Sequence, residues 1–323
     1  MNSNLKELTV VLTNFVTKRI KLLLMYFVKF VRPELHNLRF LLGQAAVISS
    51  RSNSQNFVNL WDAEIKVFSQ WGEDGILDFL CEKIGISKPN IIEIGAGNFM
   101  ECNSRFIAEF RNANVIAVDG RDDLAKAVKS SPLYWKSNLI PIVEWITPDS
   151  VNRIMDLGEE KFGKIDIFSL DLDGNDYWIL RDVSLRDVSI VVLEYNPIFG
   201  ASLKVTVPRN DKFDRYKSHF SGLYYGASLQ AFIDLMIAKG FNFIGTNRVG
   251  NNAFFVQSKH VTKFNFDTTS NYSKYVDWRI RESRGLKGEL TYLSGGERLK
   301  LINDLPLLDL DTMQMHTVGK LFS

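Results

Sequence analysis

Apolar runs alternate with amphipathic stretches through the central part of the chain. Short runs rich in Ile, Val and Leu predict buried strands at 91–95, 115–119, 140–146, 165–170 and 190–194. Stretches with helical spacing lie between them, at about 103–112, 121–130, 149–162 and 175–184. This alternation predicts a doubly wound parallel sheet, in which ligands bind beyond the carboxyl ends of the strands.

Two further apolar strands follow, Phe241–Thr246 and Ala253–Val256, joined by a short loop that contains Gly250 and three Asn residues. Gly and Asn in a loop of this length indicate a hairpin. The pattern therefore predicts an α/β fold whose parallel sheet ends in an antiparallel hairpin. The segment from 267 onward is predicted to be a helical appendage that covers the active site or pairs subunits.

The first 50 residues have a different pattern. Leu8 to Val31 is apolar but interrupted by basic residues, and helical spacing places Asn14, Lys18, Lys21 and Lys29 on one stripe. A spanning helix would bury these charges in the bilayer, which is unfavourable. The pattern predicts a basic amphipathic helix that lies on a membrane surface through residues 8–31, or that packs on this protein or a sister subunit.

A polar stretch, Ser49 to Asn56, is predicted to be a linker after this helix. The chain is then divided into a basic helical segment at 1–50, a catalytic domain at 57–258 and an appendage at 259–323. A length of 323 residues suits one large α/β domain with such additions, or two small domains.

Composition narrows the class of protein. The chain is 46% hydrophobic and 24% charged, which is ordinary for a globular protein, and its net charge of +2 gives no reason to expect nucleic acid as a partner. Two cysteines, Cys81 and Cys102, are too few for a disulfide framework or a zinc site, and they fit a reducing cytoplasm. A cytoplasmic protein, peripheral at the inner face of the membrane if the N-terminal helix binds there, is expected.

The most informative local signal is the turn after the first predicted strand. Glu93 precedes Gly95-Ala96-Gly97, and a helical pattern follows. Such a strand–turn–helix brings backbone close to a nucleotide-like ligand. The next strand ends in Asp119, a position suited to accept hydrogen bonds from ribose hydroxyls. Because Phe99-Met100 replaces the third glycine of the dinucleotide fingerprint, adenosine binding without a pyrophosphate is favoured.

Carboxylates also follow the next strands of the sheet. Asp171 and Asp173 come after the fourth strand, and Glu194 and Asn196 end the fifth. Neighbouring acids repel one another unless a proton, a cation or a polar ligand relieves them. All four side chains offer oxygen ligands, so Mg²⁺ is a candidate cofactor, although Asp173-Gly174-Asn175 also fits a turn that caps a helix. The sequence leaves metal binding open.

A long segment after the fifth strand, 199–225, contains the leading candidate for a catalytic base. His219 is the only histidine between His36 and His260, and imidazole titrates near neutral pH. Long insertions beside a strand-end site often carry binding residues. A surface or packing role for a single histidine stays open.

Several motifs occur together and in a fixed order. They are Ser69–Ile76, Glu93–Gly97, Glu101–Asn103, Asp171–Trp178, Glu194–Asn196, Tyr225–Leu229 and Asn251–Phe255. The set resembles the FkbM-like family of methyltransferases, within the class I fold that uses S-adenosylmethionine. The resemblance covers residues 69–255 and implies a Rossmann-like sheet of seven strands, with methyl transfer to an oxygen of a sugar or secondary metabolite.

The resemblance also implies roles for individual residues. Glu93, Gly95 and Gly97 would border the methionine part of the cofactor, Asp119 would hold the ribose, and Trp145 or Ile146 would touch adenine. Gln70, Asn103 and Asp171 would complete the cofactor site, with Gln70 in a lid formed before the first strand. His219, Asp173 and Glu194 are the candidate catalytic residues.

The expected function is therefore methylation of a small-molecule or glycan hydroxyl, with a homo-oligomer as an open option. Two alternatives remain. One is an NAD(P)-dependent oxidoreductase, which the missing third glycine and the terminal hairpin disfavour. The other is a non-catalytic, methyltransferase-like scaffold at a membrane, whose functional element would be the basic N-terminus.

Overall fold

A computed structural model of the chain describes residues 2–264, 275 and 277–323, without the side chains of 2–15, 28–30 and 32. The chain forms two compact units, Met1–Ile48 and Ser49–Ser323. The first helix, α1, spans Asn2–Asn53. Among the described residues, no helix is long and apolar enough to cross a membrane.

The predicted linker at 49–56 is helical rather than a loop. Helix α1 continues to Asn53, and Ser54–Asn56 forms a short 3-10 turn. The segment contains neither Gly nor Pro, the residues that most strongly end helices. In addition, Arg51 on this last part of the helix donates two hydrogen bonds to Asp78, at 2.9 and 2.7 Å. This distant contact stabilises a helix that the polar composition alone did not predict.

Every strand found in the described part of the chain lies in the larger unit. They are β1 Asn90–Ile94, β2 Asn114–Asp119, β3 Leu139–Val143, β4 Ile167–Leu170, β5 Ile190–Glu194, β6 Val205–Thr206, β7 Phe241–Thr246, β8 Asn252–Gln257, β9 Pro306–Asp309 and β10 Gln314–Thr317. Its helices are α2 Glu73–Ile84, α3 Arg105–Phe110, α4 Leu124–Ser130, α5 Leu133–Lys136, α6 Val151–Phe162, α7 Asp176–Asp182, α8 Arg215–Ser218, α9 Leu229–Ala238, α10 Gly296–Leu301 and α11 Val318–Leu321.

Seven strands form the main sheet, in the order β3-β2-β1-β4-β5-β8-β7. The first five are parallel, and β8 is antiparallel to both β5 and β7. Strand β1 lies in the middle of the five parallel strands, where Ile91 is opposite Val115 on one side and Ile167 on the other. The predicted Rossmann-like α/β architecture with a terminal hairpin is therefore confirmed.

Burial explains why the central strands could be recognised from sequence. The residues of β4 are all buried, as are most of β1, β2 and β5. Parallel strands covered by helices on both faces are apolar throughout rather than alternating. The chain adds β2 and β3 on one side of β1 and then β4 and β5 on its other side, so the strand order reverses at β1. The carboxyl ends of these strands consequently flank a crevice.

The C-terminal segment differs from the helical appendage that was expected. It contains α10 and α11, but also β9 and β10, which form a second sheet of three antiparallel strands with β6. Strand β6 belongs to the long segment after β5, about a hundred residues earlier in the chain. A pairing over that distance leaves no local periodic signal, since each strand is only two to four residues long. The predicted division at 259 thus falls within one compact unit.

Candidate functional site

The glycine turn after β1 contains one glycine that the fold requires. Gly95 has φ +87°, and a Cβ there would lie 1.5 Å from the carbonyl oxygen of Asp171. The turn and the end of β4 are therefore in direct backbone contact. Asp171 N–H also donates to the Ile94 carbonyl at 3.0 Å. This contact positions the first acid of the β4 end beside the turn.

Gly97 differs from Gly95, because it faces open space. It has φ +57°, and no atom would lie within 4 Å of a Cβ there. Its N–H donates to Asp119 Oδ2 at 2.7 Å, while Arg121 N–H donates to Asp119 Oδ1 at 2.9 Å. Asp119 thus fixes the turn and the chain after β2 simultaneously. Each carboxylate oxygen keeps a further acceptor site, because it has received only one hydrogen bond.

A cavity of about 280 Å³ opens at the carboxyl ends of β1 to β4. The residues that line it come from the ends of these four strands, from the residues directly after them, and from the segment between β5 and α9. They are Gly95, Gly97, Asp119, Gly120, Glu144, Trp145, Ile146, Asp171, Leu172, Asp173, Asn175 and Phe213. Six of the residues predicted for the cofactor site are among them. Asp173, predicted as catalytic, also lines the cavity.

The charge of this lining is one-sided. It contains four acidic side chains, Asp119, Glu144, Asp171 and Asp173, and no Lys, Arg or His. Two of the acids are paired from outside the lining, Glu144 by Arg153 and Asp173 by Arg215. The cavity therefore favours a cationic or neutral polar ligand over an anionic one.

Trp145 forms one wall of the cavity. Its side chain is 57% exposed, and its indole N–H donates to the Asp211 carbonyl at 2.8 Å. Gly120 lies beneath it, since a Cβ there would be 2.9 Å from the indole ring. Ile146 is buried next to this wall. The indole of Trp145 is oriented by this hydrogen bond and has the apolar Ile146 beside it, so a planar ring of a ligand could stack against it.

The acids at the ends of β4 and β5 form a cluster. One carboxylate oxygen from each of Asp171, Asp173 and Glu194 lies within 4.8 Å of the others. Burial raises the pKa of Asp171 and of Glu194 well above the ordinary values, and the charges of their acidic neighbours raise them further. Glu194 Oε2 is buried, and no described residue hydrogen-bonds to it. The Asp171–Glu194 pair therefore retains a proton more readily than an isolated carboxylate would.

Arg215, in the segment between β5 and α9, opposes this effect. Its Nη1 donates to Asp173, its Nε donates to the Gly222 carbonyl, and its guanidinium lies 3.9 Å from the centre of the Tyr225 ring. A cation at this position stabilises the ionised form of the nearby acids. Sequence reasoning did not assign Arg215 to the site, because only the fold brings it to β4. Its one sequence signal was a place in the long segment after β5.

Asp176 shapes the loop that carries Asp171 and Asp173. It accepts from the N–H groups of Leu172 and Gly174, at 2.7 and 2.9 Å. Asp173 lies between them with φ +56°, a conformation that is unfavourable for a residue with a side chain. The predicted helix-start turn is thus present here, but its capping acid is Asp176.

Two residues that the resemblance assigns to the cofactor site lie outside the cavity lining and have structural contacts. Glu93 is buried and accepts from the N–H groups of Asn103 and Ser104, at 2.7 and 3.0 Å. It holds the start of α3 and does not line the cavity. Asn103, whose amide donates to Ser169 Oγ at 3.1 Å, lies outside the lining as well. Position at a strand end predicted proximity, but the rotation of each side chain decided whether it faced the cavity.

Asn196 is a second such case. It is fully buried, and its amide nitrogen donates to the carbonyls of Leu223 and Tyr225, both at 2.9 Å. Its Oδ1 accepts from Ile198 N–H at 3.0 Å. The amide thus fixes the loop that follows β5.

His219 is not among the residues that line the cavity. Its Nδ1 lies 2.6 Å from Ser221 Oγ, its ring contacts Phe220, and partial burial lowers its pKa. Glu194 is likewise absent from the lining, but it is linked to the cavity through Asp171. Of the catalytic candidates, Asp173 and Glu194 are thus brought together. His219 contacts Phe220 and Ser221, its neighbours in sequence.

The segment before α2 does not cover the cavity. Gln70 is exposed and is not part of the lining. Glu73 is buried, and its Oε1 accepts from the amides of Asn247 and Asn252, each at 2.8 Å. Asp74 accepts three backbone N–H bonds at 2.6 to 2.8 Å from residues 67–69. Glu73 thus links the start of α2 to the β7–β8 hairpin, and Asp74 stabilises the turn that precedes α2.

Comparison with known proteins gives fold-level similarity only. No family model and no curated protein matches the chain. Among solved structures, the pyocyanin biosynthetic protein PhzM matches with 12% identity and a TM-score of 0.31, over 53% of this chain and 50% of its own. An O-methyltransferase family 2 protein from Planctomyces limnophilus, solved with apigenin, matches with 11% identity and a TM-score of 0.32, over 67% and 61%.

The chain thus spans about half to three-fifths of these proteins. At such identities and TM-scores the matches identify neither a family nor the role of any residue. The resemblance to the FkbM-like family stays a prediction from the motifs, and the activity is inferred from the geometry and charge of the site.

Proposed function

We propose that the protein is an S-adenosylmethionine-dependent methyltransferase that acts on a hydroxyl of a carbohydrate or secondary metabolite. The observation that carries the proposal is the acidic lining of the cavity, which also contains an open glycine turn, at the carboxyl edge of a Rossmann-like sheet. S-adenosylmethionine carries a positive charge on sulfur, whereas NAD(P) carries a negatively charged pyrophosphate. The acids favour the former and disfavour the latter.

The residues around the cavity fit this cofactor. Gly97 leaves open space where any side chain would project, so backbone can approach a ligand there. Asp119 retains acceptor sites suited to ribose hydroxyls, and Trp145 with Ile146 offers an apolar wall for adenine. Glu93 and Asn103 would support the site from behind by fixing the start of α3.

The acid cluster supplies the chemistry that a hydroxyl acceptor needs. S-adenosylmethionine, when bound, provides a methyl group on a cationic sulfur. The acceptor hydroxyl must lose its proton as its oxygen forms the new bond, and Asp171 is the cavity acid with a raised pKa. Glu194, buried behind it, would share the accepted proton, while Arg215 holds Asp173 in place.

Calorimetry tests the choice of cofactor. We expect binding of S-adenosylmethionine and S-adenosylhomocysteine and none of NAD. Asp119→Asn should weaken binding by roughly 1.5–3 kcal/mol, because it removes a charged acceptor. Asp123→Asn is the matched control, since Asp123 pairs with Arg121 outside the cavity. Tight NAD binding, or equal affinity of the Asp119 variant, would contradict the proposal.

A second experiment identifies the acceptor and the base. Candidate glycans and hydroxylated metabolites are incubated with the enzyme and labelled cofactor, and the products are examined by mass spectrometry. With an acceptor in hand, Glu194→Gln should slow turnover by roughly 10²–10⁴, and the loss should be independent of EDTA. If His219 is the base, His219→Ala should show that loss instead.

Mg²⁺ remains an alternative way to activate the hydroxyl. The oxygen ligands of Asp171, Asp173 and Glu194 suit a hard cation, although Arg215 already pairs with Asp173. Turnover that is abolished by EDTA and restored by Mg²⁺ would favour the metal. Cofactor binding without transfer to any acceptor would favour the scaffold function.

A further inference from the structure

The N-terminal part of α1 has an exposed apolar face. Val16, Ile20, Leu23, Leu24 and Phe27 are between 48% and 69% exposed. Because successive residues of a helix turn by about 100°, these five side chains share one face. They are named the apolar stripe here. Exposed apolar surface of this extent marks a site of interaction with a protein or a membrane.

The basic side chains lie away from the stripe. Lys18 and Lys21 are exposed on the other side of the helix, together with Leu22 and Met25, and Arg19 lies at the border of the stripe. Residues 8–33 contain five Lys and Arg and no Asp or Glu. The helix therefore combines an exposed apolar stripe with a net positive charge.

We propose that the apolar stripe lies in the interfacial layer of a lipid bilayer with anionic headgroups. In this position the stripe contacts the acyl boundary, and the lysines contact lipid phosphates. Tyr26 is 61% exposed beside the stripe, and Tyr is enriched at the membrane–water interface.

Charge distinguishes this partner from a second copy of the chain. A second copy that paired along the stripe would leave the basic side chains of both helices without a negatively charged partner, because residues 8–33 contain no Asp or Glu. An anionic membrane supplies the missing negative charge, so it satisfies both faces of the helix.

Vesicle flotation with the full-length protein tests the inference. We expect co-flotation with mixed phosphatidylcholine–phosphatidylglycerol vesicles at about 0.1 M salt, and a several-fold loss at about 0.5 M salt, because the shorter Debye length screens the attraction. Vesicles of phosphatidylcholine alone should bind far less protein.

Two double variants separate the apolar and the charged contributions. Leu23→Gln with Phe27→Gln should abolish flotation. Lys18→Gln with Lys21→Gln should reduce binding by on the order of fivefold for each removed charge. The matched controls are Leu286→Gln with Leu290→Gln, and Lys126→Gln with Lys129→Gln, which have the same spacing on exposed positions elsewhere. Both controls should bind like the unmodified protein.

Three outcomes would overturn the inference. They are failure of the unmodified protein to float with anionic vesicles, equal binding to neutral and anionic vesicles without dependence on salt, and equal losses in the control variants. Analytical sedimentation, measured in parallel, gives the oligomeric state and so tests whether a second copy of the chain binds the stripe. A dimer that the Leu23 and Phe27 variant converts to a monomer, in a protein that ignores vesicles, would assign the stripe to a second copy.

Discussion

Gly97→Ala is the substitution that separates the folding of the glycine turn from its proposed contact with a ligand. Gly97 has φ +57°, and a Cβ there meets no protein atom within 4 Å. Alanine should therefore cost about 1–2 kcal/mol of folding stability, which is the penalty of a left-handed conformation alone. The hydrogen bond from its N–H to Asp119 survives.

The effect on cofactor binding should be larger. Gly97 lines the cavity, so a ligand bound against the turn would meet the new methyl group, and inserting a methyl group into a well-packed contact costs about 1–3 kcal/mol. That range corresponds to a loss of about 5- to 150-fold in affinity. Urea unfolding measures the first effect and calorimetry with S-adenosylhomocysteine the second.

Two comparisons make the reasoning testable. Gly85, at the end of α2, also has a positive φ and open space, so Gly85→Ala should lose similar stability and no affinity. Gly95→Ala should lose more than about 4 kcal/mol, because its Cβ would overlap the Asp171 carbonyl oxygen and force two strand ends apart. Unchanged affinity in Gly97→Ala, or similar stability of the Gly95 and Gly97 variants, would refute the steric argument.

Two further predictions concern stability. Burial raises the pKa of Asp74 and of Asp176 to about 6, above the ordinary 3.8, so the folded protein binds protons that the unfolded chain releases. The stability that these two protonated groups contribute is full below about pH 4 and is lost as the pH rises through about 6. In urea unfolding, Asp74→Asn should reduce the slope of the free energy of unfolding against pH in this range by about 1.4 kcal/mol per pH unit. The exposed control Asp123→Asn should leave that slope unchanged. A chain that begins at Ser49 should keep the unfolding midpoint of the larger unit. A chain that begins at Asn53 lacks Arg51 and therefore its two hydrogen bonds to the buried Asp78, so it should be about 1–3 kcal/mol less stable. Equal midpoints for these two chains would show that the pair contributes nothing.

The site was predictable as far as it depends on strand ends. Asp119, Asp171 and the glycine turn follow apolar runs directly, and parallel strands place such residues at one edge of the sheet. Which way each side chain turns from its strand end was not predictable. Glu93 turns toward the start of α3 and Asn196 toward the loop after β5, because each finds backbone groups there that would otherwise be unpaired.

The sequence by itself determined the elements whose signal is local. The apolar runs of β1 to β5, the helices between them and the terminal hairpin each follow from the periodicity of a few adjacent residues, because burial on one or two faces acts residue by residue.

Only the tertiary structure decided the features that join distant segments. The pairing of β6 with β9, the contact of Arg215 with Asp173 and the extension of α1 by Arg51 all connect residues that are at least 27 positions apart. Such contacts depend on where the whole chain places two short segments, and no short-range pattern encodes that. The acids of the cluster could be located from sequence because they follow two neighbouring strands. Arg215 and the burial of Asp171 against Glu194 could not, because both depend on how distant segments pack.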